Sequence, residues 1–296
     1  MLGRTSTFSI VGYDPQAKEW GVAVQSKFLA VGSLVPYVKA GVGAIASQAK
    51  TNSRFGPEAA ALLQQGMSAQ ETLDHLLAKD PYKEIRQVGI VDFNGGVAAY
   101  SGKNNYPYSG HRTGKYYACQ GNVLLGPVVL ERMEEAFLET KGDLALRLVC
   151  ALEAAQLAGG EKRGQEGAAL VVKKLPSFEL MGESETCVDL RVDQHLSPVL
   201  ELKRLLQVHR IEYAQNHKDK FYPFAGDTRS TLVQLLCETD MLASYLQKGK
   251  TLETFLESLG GQEHIVPVFQ EEYINGALVD HIVNKYYQLQ ESKFGK

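Results

Sequence analysis

Short apolar segments come in pairs along this chain, and this pairing constrains the fold more than any other feature. Residues 7–12 and 20–25 are separated by a turn around Asp14 and Pro15, residues that favour tight connections between strands. A helix pair, a second strand pair, a second helix pair, a third strand pair and a long helix follow. Single strands and helices alternate in a parallel doubly wound sheet. The paired order instead predicts an α+β fold with two antiparallel sheets stacked between helical layers.

Capping and turn residues place several of the predicted elements. Ser68 and Glu71 form a capping box at the start of a helix over residues 69–78. Asn94 and Gly95 predict a hairpin turn between strands over residues 87–92 and 96–101. The other predicted elements are strands over 41–48, 168–173 and 186–192, and helices over 57–65, 127–139, 144–157 and 198–216. Residues 103–117 are predicted to form a polar, tyrosine-rich loop.

The composition shifts near residues 219–226, where strand-like segments cease. We therefore predict a main domain over residues 1–218 and a small all-helical extension over residues 219–296, with helices over 229–247, 252–258 and 271–290. Isolated helices of this length are marginal in water, so their apolar faces must be buried against other surfaces. The main domain and a second subunit are both possible surfaces. We favour a homodimer with the extension near its interface.

Charge and hydropathy exclude some classes of protein. The net charge of −3 gives no basic footprint for nucleic acid, and no segment approaches the roughly 18 apolar residues of a membrane-spanning helix. The start of the chain lacks the apolar core of a secretory signal. The four cysteines are scattered without a CxxC pair, which favours reduced thiols over disulfides or a zinc site. We expect a cytoplasmic protein that binds neither nucleic acid nor membrane.

Several short motifs occur in collinear order, at residues 7–11, 22–28, 30–32, 54–57, 110–114, 119–122, 159–164 and 188–193. Together they resemble a bacterial and archaeal family, domain of unknown function 1028, which is placed in the N-terminal nucleophile (Ntn) hydrolase superfamily. The similarity extends from Thr7 to about Tyr213. It implies a four-layer αββα sandwich, but the family carries no established substrate.

The chain departs from the family pattern at three places. Many members begin Met-Thr-Phe-Ser, so that removal of the methionine exposes the threonine, whereas six residues precede Thr7 here. Glu161 stands where the family pattern leads us to expect aspartate, and Glu166 lies near the position of a usual small hydroxyl residue. The last 80 or so residues have no counterpart in the resemblance.

Thr7 is the predicted nucleophile, because it begins one strand while Lys27 follows the next. A free N-terminal threonine uses its own α-amine as general base, which makes the hydroxyl reactive. With the preceding residues intact that amine does not exist, and Thr7 is then an ordinary strand threonine. Lys27 would lower a neighbouring pKa or hold an anionic group, unless it is a solvated strand-end lysine. Asn122 would donate to an oxyanion, although a tight turn before a helix explains the same segment.

The predicted substrate-binding residues surround this centre in the sequence. Ser9 lies on the same strand face as Thr7 and is a second candidate nucleophile. His111 and Arg112 would orient a substrate carboxylate, unless they lie in a surface loop. The complete predicted set is Ser9, Gln48, Arg54, His111, Arg112, Gln120 and Arg163.

No metal site or cofactor is predicted. Asp189, Arg191 and Asp193 alternate along one strand, a pattern typical of an ion-pair ladder. Two functions remain open. The first is hydrolysis of a C–N bond, amide or ureide, in a small polar substrate through Thr7. The alternative is a non-catalytic protein of the same fold that binds a small ligand or assembles with an unprocessed N-terminus.

Overall fold

The structure is a computed structural model that describes residues 7–175, 186–215, 221–223, 229, 232–233, 235–236, 251–262, 269–270, 273–275, 278 and 282. Contacts between residues divide the chain into two compact units, residues 1–206 and residues 207–296.

A six-stranded antiparallel sheet carries the N-terminal strand of the first unit. Its spatial order is β10-β9-β2-β1-β8-β7, so that β1 is an interior strand paired on both sides. The six strands are Thr7–Asp14 (β1), Glu19–Ser26 (β2), Gly110–Gly114 (β7), Tyr117–Asn122 (β8), Gly167–Lys174 (β9) and Thr186–Val192 (β10). The predicted hairpin between the first two strands is confirmed, in a register that pairs Thr7 with Ser26.

A second, four-stranded antiparallel sheet has the order β3-β4-β5-β6. Its strands are Pro36–Lys39 (β3), Gly43–Ala49 (β4), Arg86–Asp92 (β5) and Val97–Ser101 (β6). The predicted turn at Asn94 and Gly95 joins the last two strands, where Gly95 adopts a φ of 80° that favours glycine. With both sheets antiparallel, the prediction of an α+β fold is confirmed.

In the part of the chain that the structure describes, five α-helices accompany these sheets: Phe55–Gln64 (α1), Ala69–Lys79 (α2), Val128–Glu139 (α3), Leu144–Leu157 (α4) and Pro198–Gln215 (α5). The apolar residues of α3 and α4 pack with Phe8, Ile10 and Ala23 of the six-stranded sheet. Those of α1 and α2 pack with Ile45 and Ile90 of the four-stranded sheet. The predicted capping box of Ser68 and Glu71 is present at the start of α2.

The two sheets face each other through a separate apolar core, which includes Val11 and Val22 from one sheet and Ala44 and Val91 from the other. Side chains at alternate positions of β1 therefore pack into different cores, because successive side chains of a strand point to opposite faces of the sheet. Thr7 and Ser9 share the face of Val11 and are directed between the sheets.

The second unit corrects the prediction that residues 219–296 are all-helical. Three short antiparallel strands, Phe221–Pro223 (β11), Phe269–Gln270 (β12) and Tyr273–Asn275 (β13), form a sheet in the order β11-β13-β12. Strands of two or three residues are too short to show an alternating pattern, so the sequence did not reveal them. The helix predicted over 252–258 is confirmed as Leu252–Gln262 (α6).

Three strands of the first unit, β3, β7 and β8, were also missed by the sequence prediction. β7 lies inside the predicted tyrosine-rich loop, and its polar sequence carries no apolar alternation. Asn122 ends β8, so the alternative of a tight turn over residues 120–122 is wrong. No helix among the described residues is long and apolar enough to cross a membrane.

Candidate active site

Polar side chains collect between the two sheets at one end, where β1 begins and where β2 and β8 end. Thr7 is paired with Ser26 of β2 on one side and with Asn122 of β8 on the other. Gln48 and Gln87 approach from the facing sheet, at the end of β4 and the start of β5. We call six buried side chains the Thr7 network: Thr7, Ser9, Gln48, Gln87, Gln120 and Asn122, all at most 3% exposed.

Thr7 is bonded through both its hydroxyl and its carbonyl. The hydroxyl donates to the Ser26 hydroxyl over 3.1 Å. The carbonyl oxygen accepts from the Gln48 amide nitrogen at 3.3 Å and from the Asn122 amide nitrogen at 3.5 Å. These bonds fix the start of β1 between the two sheets, and the Asn122 bond is the longer and weaker of the two to the carbonyl.

A second chain of bonds runs through Ser9. The Gln120 amide nitrogen donates to the Ser9 hydroxyl over 2.7 Å, and that hydroxyl donates to the Gln48 side-chain oxygen over 2.6 Å. Gln48 also donates to the backbone carbonyl of Gln120 over 3.2 Å. The predicted residues Thr7, Ser9, Gln48, Gln120 and Asn122 are therefore brought together in the structure.

Gln87 is the residue that the sequence analysis missed. Its side-chain oxygen accepts from Gln48 at 2.8 Å and from Asn122 at 3.0 Å. Its nitrogen lies 2.8 Å from the Ser101 hydroxyl, 3.0 Å from the Gly110 carbonyl and 2.8 Å from the Gly121 carbonyl. A glutamine at the head of an apolar strand resembles a solvated strand end, so no signal in the sequence marked it.

His111 extends the network to the surface. It lies on β7 and is exposed to solvent, and its Nδ1 lies 3.0 Å from the Ser101 hydroxyl. Partial desolvation of the ring lowers the pKa of His111 from its ordinary value. The lowered pKa favours the neutral imidazole at pH 7.

Lys27 does not join Thr7. Its ammonium group lies 3.6 Å from a carboxylate oxygen of Glu166 and 3.5 Å from the Gln165 carbonyl. Its backbone N–H donates to the buried Glu161 carboxylate over 2.8 Å, and Arg163 donates to the same carboxylate over 2.7 Å. Lys27, directly after β2, is thus bound by the loop that precedes β9, and this loop also carries Arg163.

The two remaining arginines of the predicted set also lie apart from the network. Arg112 donates to Glu134 on α3, which in turn accepts from Tyr117 at 2.8 Å. Arg54 precedes α1 and is exposed, and its backbone N–H donates to the Asn52 side chain over 3.2 Å. The predicted pairing of His111 with Arg112 around one carboxylate is therefore not assembled in this structure.

The backbone is constrained directly beside two network residues. Ala49 after Gln48 and Val123 after Asn122 adopt φ values of 64° and 56°, which non-glycine residues rarely take. Val123 is held there because its N–H donates to the Tyr106 carbonyl and its own carbonyl accepts from Lys162. Rare conformations of this kind persist where surrounding structure fixes them, and they cluster at functional sites.

The Thr7 network offers hydroxyl groups and amide donors, and none of its six side chains carries a charge. Such groups suit the recognition of neutral carbonyl and N–H groups through hydrogen bonds. Within the described residues, no group of three or more His, Cys, Asp or Glu side chains is arranged to hold a metal ion.

Comparison with known proteins identifies the family. The sequence profile of a family of unknown function, DUF1028, matches residues 7–202. The chain belongs to the DUF1028 family. A crystal structure of the DUF1028 protein SPO2555 from Silicibacter pomeroyi is similar, with a TM-score of 0.61 and 29% identity over 75% of this chain and 91% of that one. No curated protein matches this DUF1028 chain.

Proposed function

We propose that this DUF1028 protein is an Ntn-type hydrolase that cleaves a C–N bond, amide or ureide, in a small polar substrate through Thr7. The observation that carries the proposal is the position of Thr7. It begins an interior strand between two sheets, its carbonyl is held by two amide donors, and its hydroxyl is bonded to Ser26. Four neutral amide side chains stand around it, which suits a substrate with neutral carbonyl and N–H groups.

The proposed fold is the four-layer αββα sandwich of the Ntn hydrolases. Two features support it: helices pack against each sheet, and the two sheets share an apolar core.

The bonds to Thr7 also suit processing of the chain. They hold its carbonyl and hydroxyl, so hydrolysis of the bond between Ser6 and Thr7 frees the α-amine without breaking them.

In the proposed reaction, the freed amine of Thr7 takes the hydroxyl proton as the oxygen attacks the substrate carbonyl carbon. The C–N bond then breaks, and the leaving nitrogen departs with that proton. Water attacks the resulting ester, releases the acid and restores the hydroxyl. Asn122 is the proposed donor to the oxyanion, exchanging its long bond to the Thr7 carbonyl for this stronger one. Lys27, bound to Glu166, has no step in this scheme.

A non-catalytic protein that binds a small ligand is the alternative, and one observation favours it. Thr7 is 0% exposed and its hydroxyl is engaged, which is the condition of a structural threonine. The two functions differ in whether residues 1–6 are removed.

The test combines intact mass with an activity screen. Purified protein is weighed for loss of residues 1–6 and assayed on a panel of small amides and ureides. Thr7→Ala is expected to abolish hydrolysis, Thr7→Ser to retain part of it, and Thr113→Ala, at an exposed position of β7, to leave it unchanged. A full-length mass together with hydrolysis that survives Thr7→Ala refutes the proposal. A full-length mass without hydrolysis favours the ligand-binding protein.

We further propose a cytoplasmic homodimer, as the scattered cysteines and the apolar C-terminal helices of the sequence suggest. Sedimentation of the full chain and of a form ending after residue 223 tests the dimer. The full chain is expected to sediment as a dimer and the shortened form as a monomer. Equal association states for both refute a role of the extension in dimerisation.

A further inference from the structure

The hydrogen bonds of the Thr7 network have one fixed direction. Backbone carbonyls only accept hydrogen bonds, so the carbonyls of Gly110 and Gly121 require the Gln87 amide nitrogen to face them. The Gln87 side-chain oxygen is thereby turned toward Gln48 and Asn122. Both of these residues must present their NH₂ groups to it.

The same direction continues from Gln87 to the surface. An amide nitrogen has no lone pair for accepting, so the contact between Gln87 and Ser101 is a bond from the nitrogen to the hydroxyl oxygen. Among the described residues, the other partner of this hydroxyl is Nδ1 of His111. Directing the Ser101 hydrogen to Nδ1 gives that hydrogen an acceptor, and in this arrangement Nδ1 is unprotonated and the proton of the neutral ring lies on Nε2.

We propose that His111 is a ligand-binding residue that presents a neutral Nε2–H donor to a carbonyl or carboxylate oxygen, and that Gln87 and Ser101 are the positioning residues that fix this tautomer. This assignment rests on the proposed function only where it treats the ligand as the substrate of Thr7. His111 is exposed on β7, so that a small molecule can reach the residue, whereas the amides behind it are buried.

Replacing Gln87 with glutamate is expected to reverse the direction of the hydrogen bond between Ser101 and His111, which tests the proposal. A carboxylate at this position cannot donate, so the Ser101 hydroxyl turns to donate to it, and the hydroxyl oxygen becomes free to accept from His111. The neutral ring is then expected to carry its proton on Nδ1. Adding Ser101→Ala to Gln87→Glu removes the hydroxyl that connects residue 87 with His111. The double variant is therefore not expected to carry the ring proton on Nδ1.

The measurement is long-range ¹H–¹⁵N correlation of histidine-labelled protein at pH 8, where neutral tautomers are distinguished by their nitrogen shifts. The chain contains seven histidines, and the His111 signals are those lost in His111→Gln. Gln70→Glu, at an exposed position of α2, is the matched control and is expected to leave the tautomer unchanged. A wild-type protein with the proton on Nδ1, or a folded Gln87→Glu protein that keeps it on Nε2, overturns the proposal.

Ser101→Ala alone covers the case in which Gln87→Glu does not fold. Loss of the donated bond is expected to move the Nδ1 signal downfield, as for an imidazole nitrogen without a donor. An unchanged Nδ1 shift in this variant overturns the role of Ser101.

Acetamide is the probe for the ligand, since it offers a small carbonyl acceptor. Titration is expected to give a saturable change in the His111 Nε2–H signal. His195 is the internal control because it is exposed and its Nδ1 also accepts a bond, from the Ser197 N–H at 3.0 Å. Equal responses at the two histidines overturn the binding role. Neither experiment depends on hydrolysis, so failure of the Thr7 proposal is recognised separately in the activity screen.

Discussion

Replacing Gln25 with methionine is expected to stabilise the first unit. Gln25 is 0% exposed, and neither its side-chain oxygen nor its nitrogen has a partner among the described residues. It is paired with Phe8 on β1 and Ala168 on β9, both of which belong to the apolar core beneath α3 and α4. Its amide is therefore buried on the apolar face of the sheet, opposite to the Thr7 network.

The magnitude follows from the cost of an unmade hydrogen bond. A buried polar group without a partner costs about 1–3 kcal/mol, and a replacement of similar shape without polar atoms removes that cost. Methionine matches glutamine in length and adapts to irregular space. We therefore expect Gln25→Met to raise the free energy of unfolding by about 1–3 kcal/mol, which corresponds to roughly 2–4 °C in Tm per kcal/mol for a domain of this size.

The assay is urea unfolding followed by tryptophan fluorescence. Trp20, the single tryptophan of the chain, is 2% exposed in the core between the two sheets, so it reports on the first unit. Gln194→Met, at an exposed position, is the matched control and is expected to change stability by no more than about 0.5 kcal/mol. A loss of stability in Gln25→Met would show that the amide is bonded in solution, for example by enclosed water, and would contradict this prediction.

Two further predictions concern charge and close packing, measured by the same unfolding assay. Burial opposes ionisation of Asp80, but Arg86 and the Tyr82 N–H hold the pKa of its carboxyl below the ordinary value. It thus contributes stability above about pH 4 that is lost as the pH falls through the lower folded-state pKa, and Asp80→Asn should flatten this acid dependence. Gly89→Ala places a methyl group against the Gln120 amide and should cost about 1–3 kcal/mol, whereas Gly126→Ala, which meets open space, should not.

The sequence predicted those elements whose signals are local. The capping box at Ser68, the turn at Asn94 and the alternating strand that begins at Thr7 are each set by a few neighbouring residues, and all three are present. β7 was missed because it is a polar edge strand whose pairing with β8 supplies the structure that its composition does not indicate.

The candidate site was predictable only in part, for a related reason. Thr7 and Asn122 stand at strand ends that the antiparallel pairing of β1 with β8 brings together, although β8 itself was not among the predicted strands. Gln87 reaches them from the facing sheet, and the packing of one sheet on another cannot be derived from spacing within the chain. Lys27 was predicted to lie with Thr7 because it follows the neighbouring strand. The loop before β9 instead supplies the carboxylate that binds Lys27.

The one-way direction of the amide bonds restricts how this protein can change through evolution. Reversing a single amide would set two donors or two acceptors against each other in a buried space, and each such conflict leaves polar groups unpaired. Gln48, Gln87 and Asn122 are therefore expected to be replaced together or retained together in related proteins. A lineage that loses one of them must pass through a less stable intermediate, or rebuild the whole set around another arrangement of donors.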